Sequence, residues 1–320
     1  MHAASVIVLA WACVGAACFF SPASNFLVAA ILTALVAVVG LPHGAADHRF
    51  ARWKLEPVLG PAWLPAFLAG YVLAGSLVVC GWYYAAAETL VVFFLASAWH
   101  FGQEEPRLCR GPRWLRRLST FARGGLPIWI PLLFQRAEVI RTLAAIAPHG
   151  LGSRGDLALS VLSALSLGML GVASACWMLQ IATATRSSGR KQRVLALDSM
   201  LIASFAILFA VSPPLISFLV YFCGWHSARG LARLRRELGE TWLQLAGSLA
   251  PMTVTAAGLI AVLWWTVLGA QLESGSLIRT TFVGLSAVAM PHLILHGIWP
   301  LLSRCEPQSI PEPQPLGRPA

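Results

Sequence analysis

Charge is scarce in this chain of 320 residues: only 11% are Asp, Glu, Lys or Arg, while 58% are hydrophobic. A soluble protein of this length carries about 25% charged residues, so a water-borne globular fold is excluded. No soluble domain and no internal repeat is visible. The seven cysteines (Cys13, Cys18, Cys80, Cys109, Cys176, Cys223 and Cys305) form no CxxC pair. Most lie inside apolar runs and read as small packing residues. Acids are nearly missing from those runs, Asp198 being the main exception. A secondary transporter would show paired intramembrane charges or inverted repeats, and neither is found. No basic residues precede the first run and a second follows directly, so it reads as a helix rather than a signal peptide. The net charge of +10 does not point to nucleic acid, because the basic residues concentrate between apolar runs, as in the cytoplasmic loops of membrane proteins.

What the chain has instead is continuous apolar sequence. Ten segments are read, at roughly 4–20, 25–42, 61–84, 87–101, 118–134, 157–183, 195–211, 214–229, 244–269 and 278–301. Many approach the roughly 20 residues that cross a bilayer core, and none alternates as a membrane barrel strand does. The expected fold is all-α: a polytopic transmembrane helical bundle of about eight to ten spans, one domain over 1–303. The Pro-rich residues 304–320 read as a disordered cytoplasmic tail. Gly124, Gly125, Pro127 and Pro131 predict a kink in the fifth segment. Residues 195–229 are either one broken helix or two spans divided at Ser212-Pro213-Pro214. Residues 135–156 read as an external loop with a short amphipathic piece.

Arginine-rich loops at 48–56, 102–117, 184–193 and 230–241 alternate with nearly neutral ones, which fits ten spans with both termini inside and a multi-pass protein of the plasma (inner) membrane. That topology gives four histidines a common depth. His43, His100, His226 and His292 lie late in segments two, four, eight and ten, all running outside to inside. Imidazoles in lipid-like surroundings are costly without a partner, and a shared metal ion is the partner that explains all four. His296, one turn after His292, is the alternative donor from that helix. His2, His48 and His149 read as interfacial residues that satisfy backbone carbonyls or water.

Imidazoles without cysteine suit iron, copper, nickel or zinc, and an all-histidine cluster suits a non-haem Fe(2+) centre. Asp47, Glu104 and Glu105 lie about one turn from His43 or His100 and are candidate acceptors for the imidazole N–H groups, or solvated charges facing nearby arginines. Gly40, Gly44, Ala45, Gly102 and Gly224 permit close helix packing and room for a large apolar substrate. Trp99, Phe101, Phe222 and Trp225 are candidate lining residues for it.

The elements Gly40-Leu41-Pro42-His43-Gly44-Ala45-Ala46-Asp47, Ala98-Trp99-His100-Phe101-Gly102, Trp225-His226-Ser227-Ala228-Arg229 and Pro291-His292 resemble the Brp/Blh family of membrane β-carotene 15,15′-dioxygenases, in the same order over about residues 35–297. The resemblance implies an Fe(2+)- and O2-dependent enzyme of retinal biosynthesis that cleaves the central double bond of β-carotene, or of a related carotenoid. It also implies iron ligands at His43, His100 and His226. The family's third motif usually carries a second histidine four residues after the first, and here that position is Gly230. The alternative is therefore a non-catalytic or differently specific membrane metal- or haem-binding paralogue. A di-iron desaturase would need more HxxxH and HxxHH clusters than the single His292-x-x-x-His296.

Overall fold

The computed structural model describes residues 2–17, 26–104, 112–147, 149–184, 189–268 and 272–302. Among them every regular element is helical, as the unbroken apolar runs require. In chain order they are α1 (His2–Ala17), α2 (Phe26–Leu35), a π-helical stretch Val36–Gly40, α3 (Leu41–Ala45), α4 (Asp47–Leu59), α5 (Trp63–Tyr84), α6 (Ala86–Glu104), α7 (Arg113–Gly124) and α8 (Leu126–Phe134). There follow α9 (Arg136–Ile146), α10 (Gly152–Ala184), α11 (Gly189–Val211), α12 (Pro214–Leu219), a second π-helical stretch Val220–Ser227, α13 (Ala228–Leu238), α14 (Trp242–Thr266) and α15 (Ser274–Leu302).

Among the described residues, five helical stretches are long and apolar enough to cross a membrane: Phe26–Tyr84, Gly152–Ala182, Gln192–Val211, Trp242–Thr266 and Ser274–Gly297. Their outer faces carry large apolar side chains, such as Val72, Leu73 and Leu77 on α5 and Leu243, Val254 and Leu259 on α14. A soluble surface does not tolerate such continuous patches; lipid does. The protein is an all-α polytopic membrane protein. α15 is its central helix, with 56% of its most apolar window buried, against 11% in the peripheral α14. It packs on α2, α5, α6 and α9.

Local chemistry sets the boundaries. Pro213 and Pro214 separate α11 from α12, so 195–229 forms two helices, and the fifth segment breaks at Gly125, between α7 and α8. Gln244 and Thr241 form a reciprocal capping box at the start of α14. Gly239 closes α13 with φ +66°, a left-handed conformation that glycine adopts without cost. Two expected loops are helices instead. Residues 48–56 belong to α4, and 230–238 belong to α13. Arg49, Arg52 and Glu56 share one face of α4: Arg49 pairs with Glu240 at 3.1 Å and Arg52 with Glu56 at 2.9 Å. Amphipathic helices of this kind lie along a membrane interface. Residues 105–111 and 303–320, including Glu105 and the predicted tail, lie outside the described residues.

Two contacts fix the bundle next to the histidines. Gly102 of α6 and Gly124 of α7 meet backbone to backbone: a Cβ at Gly102 would overlap the Thr120 carbonyl, and one at Gly124 would overlap Gly102 N and Ala98 O. Small residues allow this approach in lipid. Next to Gly124, Arg123 of α7 donates to Asp198 of α11 at 3.1 Å, both nearly buried. Removing one partner strands a charge, at about 3–5 kcal/mol. Asp198→Ala should therefore lower the unfolding midpoint of detergent-purified protein by several degrees, read by intrinsic fluorescence.

Candidate metal centre

The four histidines converge. His43 reaches the centre from α3, His100 from α6, His226 from the second π-helical stretch and His292 from α15. Ring centroids are 5.0 Å apart for His43–His226, 5.3 Å for His43–His292, 5.2 Å for His100–His226 and 4.8 Å for His100–His292. Nε2 of His100 and Nε2 of His292 stand 3.3 Å apart. The two π-helical stretches bear on this directly. One leads into the turn that carries His43 and the other contains His226. A π-turn widens the helix by one residue and is frequent at functional sites.

Two carboxylates orient the rings. Asp47, buried at the start of α4, accepts from His292 Nδ1 at 2.9 Å on both oxygens. It also accepts from His296 Nε2 at 2.9 Å and from the Tyr71 hydroxyl of α5. With Nδ1 of His292 so engaged, its Nε2 is the nitrogen aimed at His100. On the other side, His226 Nδ1 lies 3.2 Å from Glu104 Oε2, which leaves Nε2 for the cluster. Arg229 in turn donates to the Glu104 backbone carbonyl. A carboxylate behind each ring is the arrangement that fixes tautomer and direction in metal-ligating histidines.

The donors fit a metal ion. His43 Nε2 is buried and has no hydrogen-bond partner, a state that costs about 1–3 kcal/mol unless something occupies it. Ligand atoms of His43, His100, His226 and Glu104 all lie within 4.8 Å of one another, and those of Asp47, His292 and His296 form a second such group, joined to the first by the 3.3 Å contact between His292 and His100. His296 donates to Asp47 at 2.9 Å, and its ring lies 4.6 Å from that of His292 and 5.2 Å from Phe50. Outside the centre, His48 donates to the Ala45 carbonyl at 2.6 Å and His149 packs edge-on against Tyr83.

The position of Gly230 explains why a side chain is missing there. A Cβ at this residue would overlap the His43 ring. The histidine from α3 fills the space that a residue 230 side chain would need, and α15 supplies a fourth imidazole.

An apolar cavity starts at these rings. Phe101 and Phe222 line it and flank His226, at 4.7 and 5.8 Å between ring centroids. Trp99 and Trp225 are not among its lining residues. Trp99 faces Gly297, while Trp225 packs on Phe205 with Arg229 over its ring. Adjacent residues of an α-helix point about 100° apart, so both neighbours of a ligand seldom share its face. Tyr71 escaped the sequence reading; its signal was a phenol hydroxyl within an apolar span, which needs a buried partner. Asp47→Asn should lower the affinity for a divalent metal ion about 10–100-fold, measured as metal retained after dialysis against a graded chelator.

Helices wrapped in lipid-facing side chains, with a cluster of carboxylate-held imidazoles at the end of an apolar cavity, define a membrane protein with a buried histidine centre. Residues 34–300 match the family described as β-carotene 15,15′-dioxygenase. The chain belongs to that family of carotenoid-cleaving enzymes. It is 30% identical over 298 residues to a probable β-carotene 15,15′-dioxygenase Blh of Halobacterium salinarum, covering 85% of this chain and 84% of the relative. It is 27% identical over 272 residues to a β-carotene 15,15′-dioxygenase of the uncultured marine bacterium 66A03, covering 82% and 90%. No solved structure matches the chain.

Proposed function

We propose that this protein cleaves the central double bond of β-carotene to give two molecules of retinal, with Fe(2+) held by His43, His100, His226 and His292. The observation that carries the reading is the convergence of four imidazoles, one with a buried unpartnered Nε2, at the end of an apolar cavity. The names of the two relatives support the substrate. Dioxygen is the co-substrate: the C=C bond breaks, each carbon takes one oxygen atom, and no further reductant is needed. Iron bound there would supply the one-electron chemistry that lets dioxygen react with a closed-shell polyene.

The chain's own residues do the rest. Asp47 and Glu104 hold the His292 and His226 rings in one tautomer, and Tyr71 and His296 hold Asp47. Phe101 and Phe222 present flat apolar walls on which a polyene lies, and they keep water from the reacting bond. The carotenoid enters from the bilayer, where it is soluble. We read the arginine distribution as turning the histidine end toward the cytoplasm of a plasma-membrane protein. Expression in β-carotene-producing cells tests the proposal. Orange colour should fade and retinal appear, and replacement of both His43 and His100 by Ala should abolish retinal. Retinal formed at the wild-type rate by that double variant would refute the site.

A further inference from the structure

The cavity runs from the imidazoles to α9. Three helices measure it. On α6, Leu90 and His100 both line the cavity, ten residues apart; on α15, Phe282 and His292 do the same; and on α12 and its π-helical continuation, Pro214 and His226 lie twelve apart. At about 1.5 Å per residue these spacings give roughly 15–18 Å from the imidazoles to the far end. That end is α9. Val139, Thr142, Leu143 and Ile146 form one face of this short helix and line the cavity, and Leu143 and Ile146 are almost fully buried. The opposite face, with Arg136, Ile140 and Arg141, is exposed. Gln135 Nε2 ties the start of α9 to the Ala210 carbonyl at 2.7 Å, and Arg279 Nε ties its end to the Ala145 carbonyl at 3.2 Å. The helix is a clamped wall.

An extended chain advances about 1.2 Å per bond. Half of β-carotene, from the central bond to the far edge of its ring, is about twelve bonds deep, or roughly 14 Å. The cavity accommodates that length and little more. We infer that α9 is an end stop: the ring of the carotenoid abuts Leu143 and Ile146, and these two residues determine which double bond lies against the imidazoles. The inference rests on the proposed carotenoid substrate. The count runs from the abutted ring alone, because the lining residues lie between the histidines and α9.

Moving the stop moves the cut. The next double bond along a conjugated chain is two bonds away, about 2.4 Å, close to the depth gained by truncating one leucine. Cleavage there also adds one oxygen atom to each carbon, but gives two unequal carbonyl fragments in place of two retinals. The experiment is to express wild type, Leu143→Ala, Ile146→Ala, Leu143→Trp and the outer-face control Arg141→Ala in β-carotene-producing cells. Products are separated by chromatography, and folded protein is quantified for each variant. Wild type and Arg141→Ala should give retinal alone. The two truncations should divert at least a tenth of the product to unequal fragments, and Leu143→Trp should cut retinal formation more than tenfold while metal content stays at the wild-type level. Retinal as the sole product of the folded truncations, or unimpaired turnover by Leu143→Trp, would overturn the end stop and leave the substrate intact. No retinal from folded wild type would overturn the substrate reading, and the end stop with it.

Discussion

His100→Ala should lose its iron. Wild-type protein reconstituted anaerobically is expected to retain about one iron per chain after desalting, and the variant less than a tenth of that, measured by inductively coupled plasma mass spectrometry. His100 sits within the cluster: its ring meets those of His226 and His292, and its Nε2 faces the Nε2 of His292 at 3.3 Å. Mutating residues that merely orient ligands costs 10–100-fold in metal affinity, so removing a donor itself should cost more than about 100-fold. His48→Ala is the matched control, because that imidazole is already engaged with the Ala45 carbonyl and lies outside the four. Full iron retention by His100→Ala would show that the rings meet for some other reason. The measurement needs no substrate, so it separates metal binding from catalysis.

Gly230→His should damage the protein, although it restores the histidine that the family's third motif usually carries. The imidazole of His43 lies where a Cβ at residue 230 would have to go, and α13 and α3 are in contact. Overpacking a filled site costs about 1–3 kcal/mol, and here the displaced group is itself a proposed ligand. Retinal formation should fall at least tenfold, with iron retention falling alongside. Gly230→Ala should fall in the same direction by a smaller factor, since its single methyl already meets the ring. A gain in iron affinity from Gly230→His would mean that His43 yields its place readily, and that the fourth donor is meant to come from α13.

Much of this architecture was legible in the sequence because lipid imposes simple rules. Apolar runs long enough to span a membrane became helices, and the Pro213–Pro214 pair divided α11 from α12 as its chemistry suggests. Reading helix directions from arginine placement put His43, His100, His226 and His292 in one layer, and the structure brings those four rings together. Side-chain direction was less accessible. Trp99 and Trp225 adjoin ligands in sequence but turn away from the cavity, whereas Phe222, four residues before His226, lines it. Tyr71 could not be tied to Asp47 because nothing local relates positions 24 residues apart. The amphipathic piece in 135–156 was visible as a helix, but not as the wall of a cavity. The basic stretches at 48–56 and 230–238 read as loops because charge density masked their helical spacing.

The two π-helical stretches carry a consequence for how the centre was assembled and how it can be lost. A π-turn holds one residue more than an α-turn, so each stretch marks a register shift of a single residue within its helix. Upstream of Val220 and downstream of Ser227 the chain keeps two different angular settings, about 100° apart by the step of one residue. His226 faces His43 and His100 only because the shift lies between them and the anchoring residues of α12. The centre is therefore encoded in residue count as well as residue type. The same residues wound as a regular α-helix between Val220 and His226 would keep every histidine and still turn one of them away from the other three.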